Sequence, residues 1–366
     1  MSIIDRVQAR LAQEPHLADT LAAVVREEAG GIISDADVLD VLRRLRHDTT
    51  GIGPLEQLLA IDGVTDVLVN GPDDVWFDRG HGLERAGISF PDDAAVRRLA
   101  VRVLASCGRR LDDAQSFADG RVIRADGANL RVHAMLAPPS EAGTLISLRV
   151  LKQSRVSLSG LVATGTFDEE AADLLRAVVA QRRSFLIVGG TGSGKTTLLA
   201  AMLADVDKRE RIICIEDTAE LNPEHPHVLT LVTRAVNTEG QGEITMADLL
   251  KQSLRMRPDR IIVGEIRGAE VVELLAALNT GHEGCAGTIH ANSLEEVPAR
   301  LEALAALGGM SRTALHAQAQ AANPLVLVMR KVRGRRQLAQ IGELGRLDGP
   351  PRVLWAREGG DRHDSA

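Results

Sequence analysis

Apolar and charged positions alternate at helical spacing through residues 1–47. The stretch ends in Ser34-Asp35-Ala36-Asp37, an N-cap with an acid at the third helical position, ahead of Val38, Leu39, Val41, Leu42 and Leu45. A small helical lobe is predicted over residues 1–50. Gly51-Ile52-Gly53-Pro54 breaks that pattern, and strand-like runs follow at 64–69 and 75–77, each closed by Gly, Pro or Asp. A helix is predicted over 93–106. Runs at 121–125 and 129–136 then flank Asp126-Gly127, a hairpin signal, and 144–151 supplies one more β-rich run. Residues 51–151 therefore predict an α+β domain around a mostly antiparallel sheet.

Residues 152–166 are rich in Ser and Gly and poor in core pattern, which predicts a linker. Asp168 caps a helix, and strands and helices alternate from there. Strands are predicted at 185–188, 212–215, 261–263 and 287–290, with helices from 194, near 246–256 and at 269–278. That rhythm predicts an α/β domain over 167–357, a parallel sheet with helices on both faces. The runs at 325–329, 337–341 and 353–355 predict a terminal β meander, and 358–366 a disordered tail.

Composition narrows the function classes. Of 366 residues, 45% are hydrophobic and 25% charged, the balance of a folded globular protein. Net charge is −7 and Tyr is absent, with five Phe and two Trp, so neither electrostatics nor stacking faces favour a nucleic-acid partner. Met1 to Arg10 carries Asp5, Arg6 and Arg10, which disrupts any signal-peptide core, and no apolar run is long enough to span a bilayer. A cytoplasmic location is the expectation. Cys107, Cys214 and Cys285 form no CxxC pair, so neither a disulfide framework nor a zinc site is signalled.

The chemistry is carried by Gly189-Gly190-Thr191-Gly192-Ser193-Gly194-Lys195-Thr196, which matches GxxxxGK[ST] between a strand and an apolar helix. Such a loop wraps phosphate with its N–H groups at the positive end of a helix. Lys195 neutralises β/γ charge and the Thr196 hydroxyl can ligate Mg²⁺. ATP and Mg²⁺ are the expected cofactors, held by Gly190 through Thr197. Arg260-Ile261-Ile262-Val263-Gly264-Glu265 delivers a carboxylate to the edge where open α/β folds bind ligands, with Gly264 where many P-loop enzymes carry Asp. Glu265 is thereby a candidate to orient or deprotonate the attacking water. Glu216, Asp217 and Glu220 follow another buried strand at the same edge, and His290 ends a third, where an imidazole can bond a γ-phosphate or a carboxylate. His282 and His290 lack metal-ligand spacing with any nearby Cys.

These four elements in this order resemble the type II/type IV secretion ATPase superfamily: Walker A, an acidic box, a Walker B ending in Gly-Glu, and a His box. Finer features are most similar to the Tad/Flp pilus assembly branch. They are Gly51-Ile52-Gly53-Pro54-Leu55-Glu56, Thr65 to Gly71, Thr233-Arg234 with Glu239-Gly240, Leu254 to Arg260, and His290-Ala291-Asn292. The resemblance implies a RecA-like ATPase domain preceded by a PAS-like α+β domain that closes over nucleotide. It further implies a homohexameric ring, an inner-membrane platform protein as partner, and arginines of the first domain approaching the γ-phosphate. Arg131 and Arg149 match those positions best, with Arg124 a weaker third, and Arg267 is placed to tie the Glu265 loop to a neighbour. Glu220 and His290 support the attacking water. The zinc module of the type II branch, built on four cysteines, is missing. Three other readings fit part of the pattern: a conjugation-type secretion ATPase, a nucleotide-gated assembly scaffold with little turnover, and a nucleic-acid translocase, which charge and aromatic poverty disfavour.

Overall fold

The computed structural model describes residues 6–7, 10, 21–30, 33–34, 37–38, 41, 51–124, 129–151, 156–234, 236, 241–279, 281 and 283–357. The Asp126-Gly127 turn, His282, Glu239-Gly240 and the tail at 358–366 lie outside the described residues. The chain divides into two compact units, Met1–Lys152 and Gln153–Ala366.

In the first unit six strands form one sheet: β1 (Asp66–Gly71), β2 (Asp74–Asp78), β3 (Leu83–Arg85), β4 (Phe117–Ile123), β5 (Asn129–Met135) and β6 (Leu145–Leu151). Their order is β3-β2-β1-β6-β5-β4, antiparallel at every pairing. Alternation decides the faces. Val67, Val69, Leu130, Val132, Ala134, Ile146 and Leu148 are buried in one cluster with Val96, Leu99, Ala100, Val103 and Leu104 of the helix Asp93–Ser106. Asp92 caps that helix by accepting from the Ala95 N–H. The interleaved residues, Asp66, Arg131, His133, Ser147 and Arg149, fall on the opposite face. Toward the N-terminus the structure describes the helix Leu21–Glu28, and Ser34 Oγ accepts from the Asp37 N–H as the capping pattern predicts.

The second unit is built on an eight-stranded sheet. Its strands are β7 (Phe185–Val188), β8 (Ile212–Glu216), β9 (Val228–Val232), β10 (Arg260–Ile266), β11 (Ala286–Ile289), β12 (Leu325–Val332), β13 (Arg335–Glu343) and β14 (Arg352–Ala356). The order is β14-β13-β12-β7-β11-β10-β8-β9. Six strands from β12 to β9 run parallel, and β13 and β14 extend the same sheet antiparallel, so the sheet is mixed rather than parallel throughout. Consecutive residues of the central strands feed two cores. Phe185, Ile187, Ile212 and Cys214 pack with the helices Glu169–Ala180 and Lys195–Ala204. Leu186, Val188, Ile213 and Ile215 pack with Met246–Ser253, Val271–Asn279, Val297–Leu307 and Arg312–Ala322. Both faces are therefore covered, as buried parallel strands require.

The boundary between the units falls between Lys152 and Gln153, where the predicted linker begins, but from Leu158 onward that segment is part of the second unit. Ser157 caps a helix at Leu158–Ala163, and Leu158 and Leu161 are buried in the second unit's core. Two apolar positions three apart behind an N-cap carry that helix, a signal masked by the surrounding Ser and Gly. Cys214 and Cys285 are buried, and burial pushes the Cys285 thiol up to about 12 and Cys214 higher still, leaving both inert as nucleophiles.

One buried ion pair fastens β10 at its start. Arg260 is 1% exposed, and its Nε donates to Glu210 Oε2 at 2.7 Å while an Nη donates to the Val179 carbonyl at 2.8 Å. Removing one partner strands the other charge without water. Glu210→Ala is expected to cost about 3–5 kcal/mol, read as a lower denaturant midpoint of the second unit.

Candidate active site

The loop between β7 and the helix Lys195–Ala204 closes on Gly194, whose φ of +99° belongs to the left-handed region where a Cβ is strained. Lys195 is buried, and its Nζ donates to the carbonyls of Gly189 at 2.8 Å and Gly190 at 3.1 Å. The ammonium is thus folded against the loop it follows. Burial lowers its pKa from the ordinary lysine value, the Glu265 charge raises it, and Arg267 lowers it again. Ser193 is buried with its Oγ unpartnered, Thr196 and Thr197 are half-buried, and Thr191 and Gly192 are exposed.

The carboxylate opposite comes from β10. The register between β10 and β11 shifts between Val263 and Ile266, and this irregularity contains Gly264 and Glu265. An Arg267 Nη donates to Glu265 Oε2 at 2.6 Å, and His290 Nε2 stands 2.6 Å from Glu265 Oε1 at ion-pair distance. That contact lacks hydrogen-bond alignment, so Oε1 is a buried acceptor still open to a donor. Burial alone would lift the Glu265 carboxyl. The bond and charge of Arg267, with the charges of His290 and Lys195, outweigh it and hold the group below the usual glutamate value. Glu265 is therefore an ionised acceptor at neutral pH.

Gly264 stands where an aspartate is common for a local steric reason. A Cβ there would meet Glu216 Cγ at 2.7 Å, so the Glu216 side chain fills that room. Glu216 is buried, and its Oε1 accepts from the N–H groups of Glu220 and Leu221, each at 3.0 Å. Of the three acids at and just beyond the end of β8, Glu216, the strand's last residue, is the buried one. Glu220 itself is exposed, and its charge, with that of Asp217, acts on Arg267. Thr288 Oγ1 donates to the Gly264 carbonyl at 2.7 Å, tying β11 to the irregular segment. Asn292 Oδ1 would lie 3.9 Å from a Cβ on Gly190, so the residues after β11 border the phosphate loop.

Arg131 and Arg149 belong to the first unit. They are cross-strand neighbours on β5 and β6, and Asp66 of β1 is opposite Arg149. Arg149 Nε donates to Asp66 Oδ1 at 2.9 Å, while an Nη of Arg131 is 4.0 Å from Asp119 and His133 Nδ1 is 3.2 Å from the same carboxylate. These side chains line a concavity of about 420 Å³ on the open face of the sheet. Arg124 has a different role in this arrangement, donating to Glu56 at 2.6 Å.

Among the described residues no group of three or more His, Cys, Asp or Glu is assembled to hold a metal by itself. The Thr196 hydroxyl at the helix start instead fits Mg²⁺ carried with a polyphosphate, with the remaining ligands left to phosphate oxygens and water.

With this geometry in hand, residues 48–341 match the profile of the family described as Type II/IV secretion system protein. The chain belongs to that family. A putative conjugal transfer protein of Mycobacterium tuberculosis is 54% identical over 340 residues, covering 92% of this chain and 97% of the relative. The conjugal transfer protein TrbB of Rhizobium radiobacter is 33% identical over 258 residues, 68% of this chain and 75% of that one. In fold, the crystal structure of the pilus retraction motor PilT with bound ADP matches at a TM-score of 0.59, covering 83% of each chain at 21% identity. This secretion-family chain shares the α/β architecture with that motor. Sequence reasoning passed over two residues at the edge, Thr288 and Arg336. Glu216 stood within the acidic cluster without being singled out, although a strand buried at every position and ending in Glu was its signal.

Proposed function

We propose that this protein is a Mg²⁺-dependent ATP hydrolase that powers a secretion or pilus-assembly machine. The observation that supports it best is Glu265, a half-buried ionised carboxylate whose buried Oε1 makes no aligned hydrogen bond, on the same sheet edge as the lysine-bearing phosphate loop. Lys195 and the loop amides bind the phosphates. Glu265 orients water for in-line attack on the γ-phosphate, Arg267 and His290 fix its carboxylate, and Thr196 with phosphate oxygens holds the metal. Mg²⁺, when bound with the nucleotide, neutralises developing charge on the β/γ oxygens. Glu220 acts at long range through Arg267. Arg131 and Arg149 supply transition-state charge when a PAS-like first domain closes on nucleotide within a homohexamer docked on an inner-membrane platform protein. Among the described residues no helix is long and apolar enough to cross a membrane, which suits peripheral docking.

Phosphate release from ATP by the purified chain tests the reading, and no release above background would sink it. Arg131→Gln with Arg149→Gln is expected to lower turnover at least roughly a hundredfold while ADP affinity stays unchanged; loss of both together would make these arginines structural.

The Tad/Flp-like motifs favour pilus assembly, and the names of the relatives favour conjugal transfer as a second reading. A chromosomal Glu265→Gln strain separates them. Loss of surface pili supports the first, and retained pili with failed DNA transfer supports the second.

A further inference from the structure

We propose that the β12–β13 hairpin forms the nucleoside-side wall of the phosphate loop and that Arg336 binds the α-phosphate of the nucleotide. This rests on the reading that the loop binds nucleotide. Strand β7, which feeds the loop, lies between β11 and β12. Glu265 and His290 come from the β10 and β11 side, which fixes the γ-phosphate end. A triphosphate running past the loop then turns its α-phosphate toward the other neighbour, β12.

The register places the hairpin at the right height. Leu325 is level with Phe185 and Val328 with Val188, so Arg330, Lys331 and Val332 continue past the end of β7 alongside the loop. Arg336 pairs with Lys331. Two residues further in on each strand, Met329 and Leu338 are buried in the core that includes the helix after the loop, so Arg336 and Lys331 share that face. Contact follows directly: a Cβ on Gly194 would meet Arg336 Cδ at 3.1 Å and Met329 Cε at 3.3 Å.

Charge agrees with position. Residues 330–336 hold Arg330, Lys331, Arg333, Arg335 and Arg336 and no acid, in a chain of net charge −7. At the far end of β13, Glu343 is paired with both Arg183 and Arg352. Among the described residues neither Arg336 nor Lys331 is in an ion pair. An unpaired guanidinium over the helix start suits a phosphate oxygen, which it can bond in forked geometry.

Titration with the fluorescent probe mant-ADP and with a non-hydrolysable ATP analogue tests this. Arg336→Gln is expected to weaken both by the same factor, roughly tenfold, with Arg336→Lys intermediate and Arg333→Gln, at the exposed turn, unchanged. Unaltered mant-ADP affinity in Arg336→Gln, loss of the ATP analogue alone, or an equal loss in Arg333→Gln would each overturn it. Lys195→Ala separates the premises. If it still binds mant-ADP, the loop itself is not the nucleotide site; if it loses binding while Arg336→Gln does not, only the hairpin role fails.

Discussion

Glu265→Gln is expected to bind ATP at least as tightly as the parent and to release phosphate roughly a hundredfold more slowly or worse, as measured in a steady-state assay. The substitution removes a negative charge from beside the phosphate loop, so repulsion toward the γ-phosphate falls and affinity does not suffer. Turnover is lost because an amide presents a donor where a carboxylate presented only acceptors. Oε2 now accepts from Arg267 at 2.6 Å, and Oε1 is the buried acceptor without an aligned donor. A glutamine can satisfy Arg267 with its oxygen, but its NH₂ then occupies the Oε1 position and cannot accept from water. The lowered pKa sharpens the role. A carboxylate below the ordinary range is a weak proton acceptor, so its contribution lies in orienting water. Parental turnover by the glutamine variant would remove Glu265 from the chemistry.

The elements that position this site were legible where local signal and tertiary role agree. Phe185–Val188 is a four-residue apolar run ending at a glycine-rich loop, and the helix Asp93–Ser106 carries its cap and apolar stripe in sequence. Strands β3 and β9 were missed: one is three residues long, and the other is a sheet edge with partly exposed positions that shows no burial pattern. The antiparallel β13 and β14 read as a separate meander because nothing local reveals that β12 inserts beside β7. That pairing is a contact between residues about 140 apart in the chain. The same non-locality hid Arg336 and the fit of Glu216 against Gly264. Each depends on which strands are neighbours in the sheet, and the glycine at 264 records only that room is needed, never who fills it. Glu265 and His290 were legible because each follows a β-branched or apolar run, and the C-terminal ends of parallel strands converge on one edge; Lys195 was legible from the glycine-rich motif that precedes it.

Lys195→Ala is expected to lower affinity for both ATP and ADP at least about a hundredfold and to abolish turnover, with the fold retained. Two effects act together. The first is loss of the only cation on the loop, placed where β and γ oxygens would lie. The second is local: Nζ is the donor to the Gly189 and Gly190 carbonyls, and without it two backbone acceptors that now turn toward an ammonium face incoming phosphate as bare dipoles of the wrong sign. The helix should survive, because alanine is a strong helix former at its first residue and Leu198, Leu199 and Leu203 keep their burial. A thermal midpoint within a few degrees of the parent therefore checks that binding, not folding, was lost. Lys195→Arg gives the sharper test. It preserves charge but brings a wide planar fork into a site where the ammonium fits between two carbonyls at 2.8 and 3.1 Å. If charge alone mattered, arginine would restore most of the affinity. If the loop has been shaped around a compact ammonium, as its geometry implies, the arginine variant stays as defective in turnover as alanine.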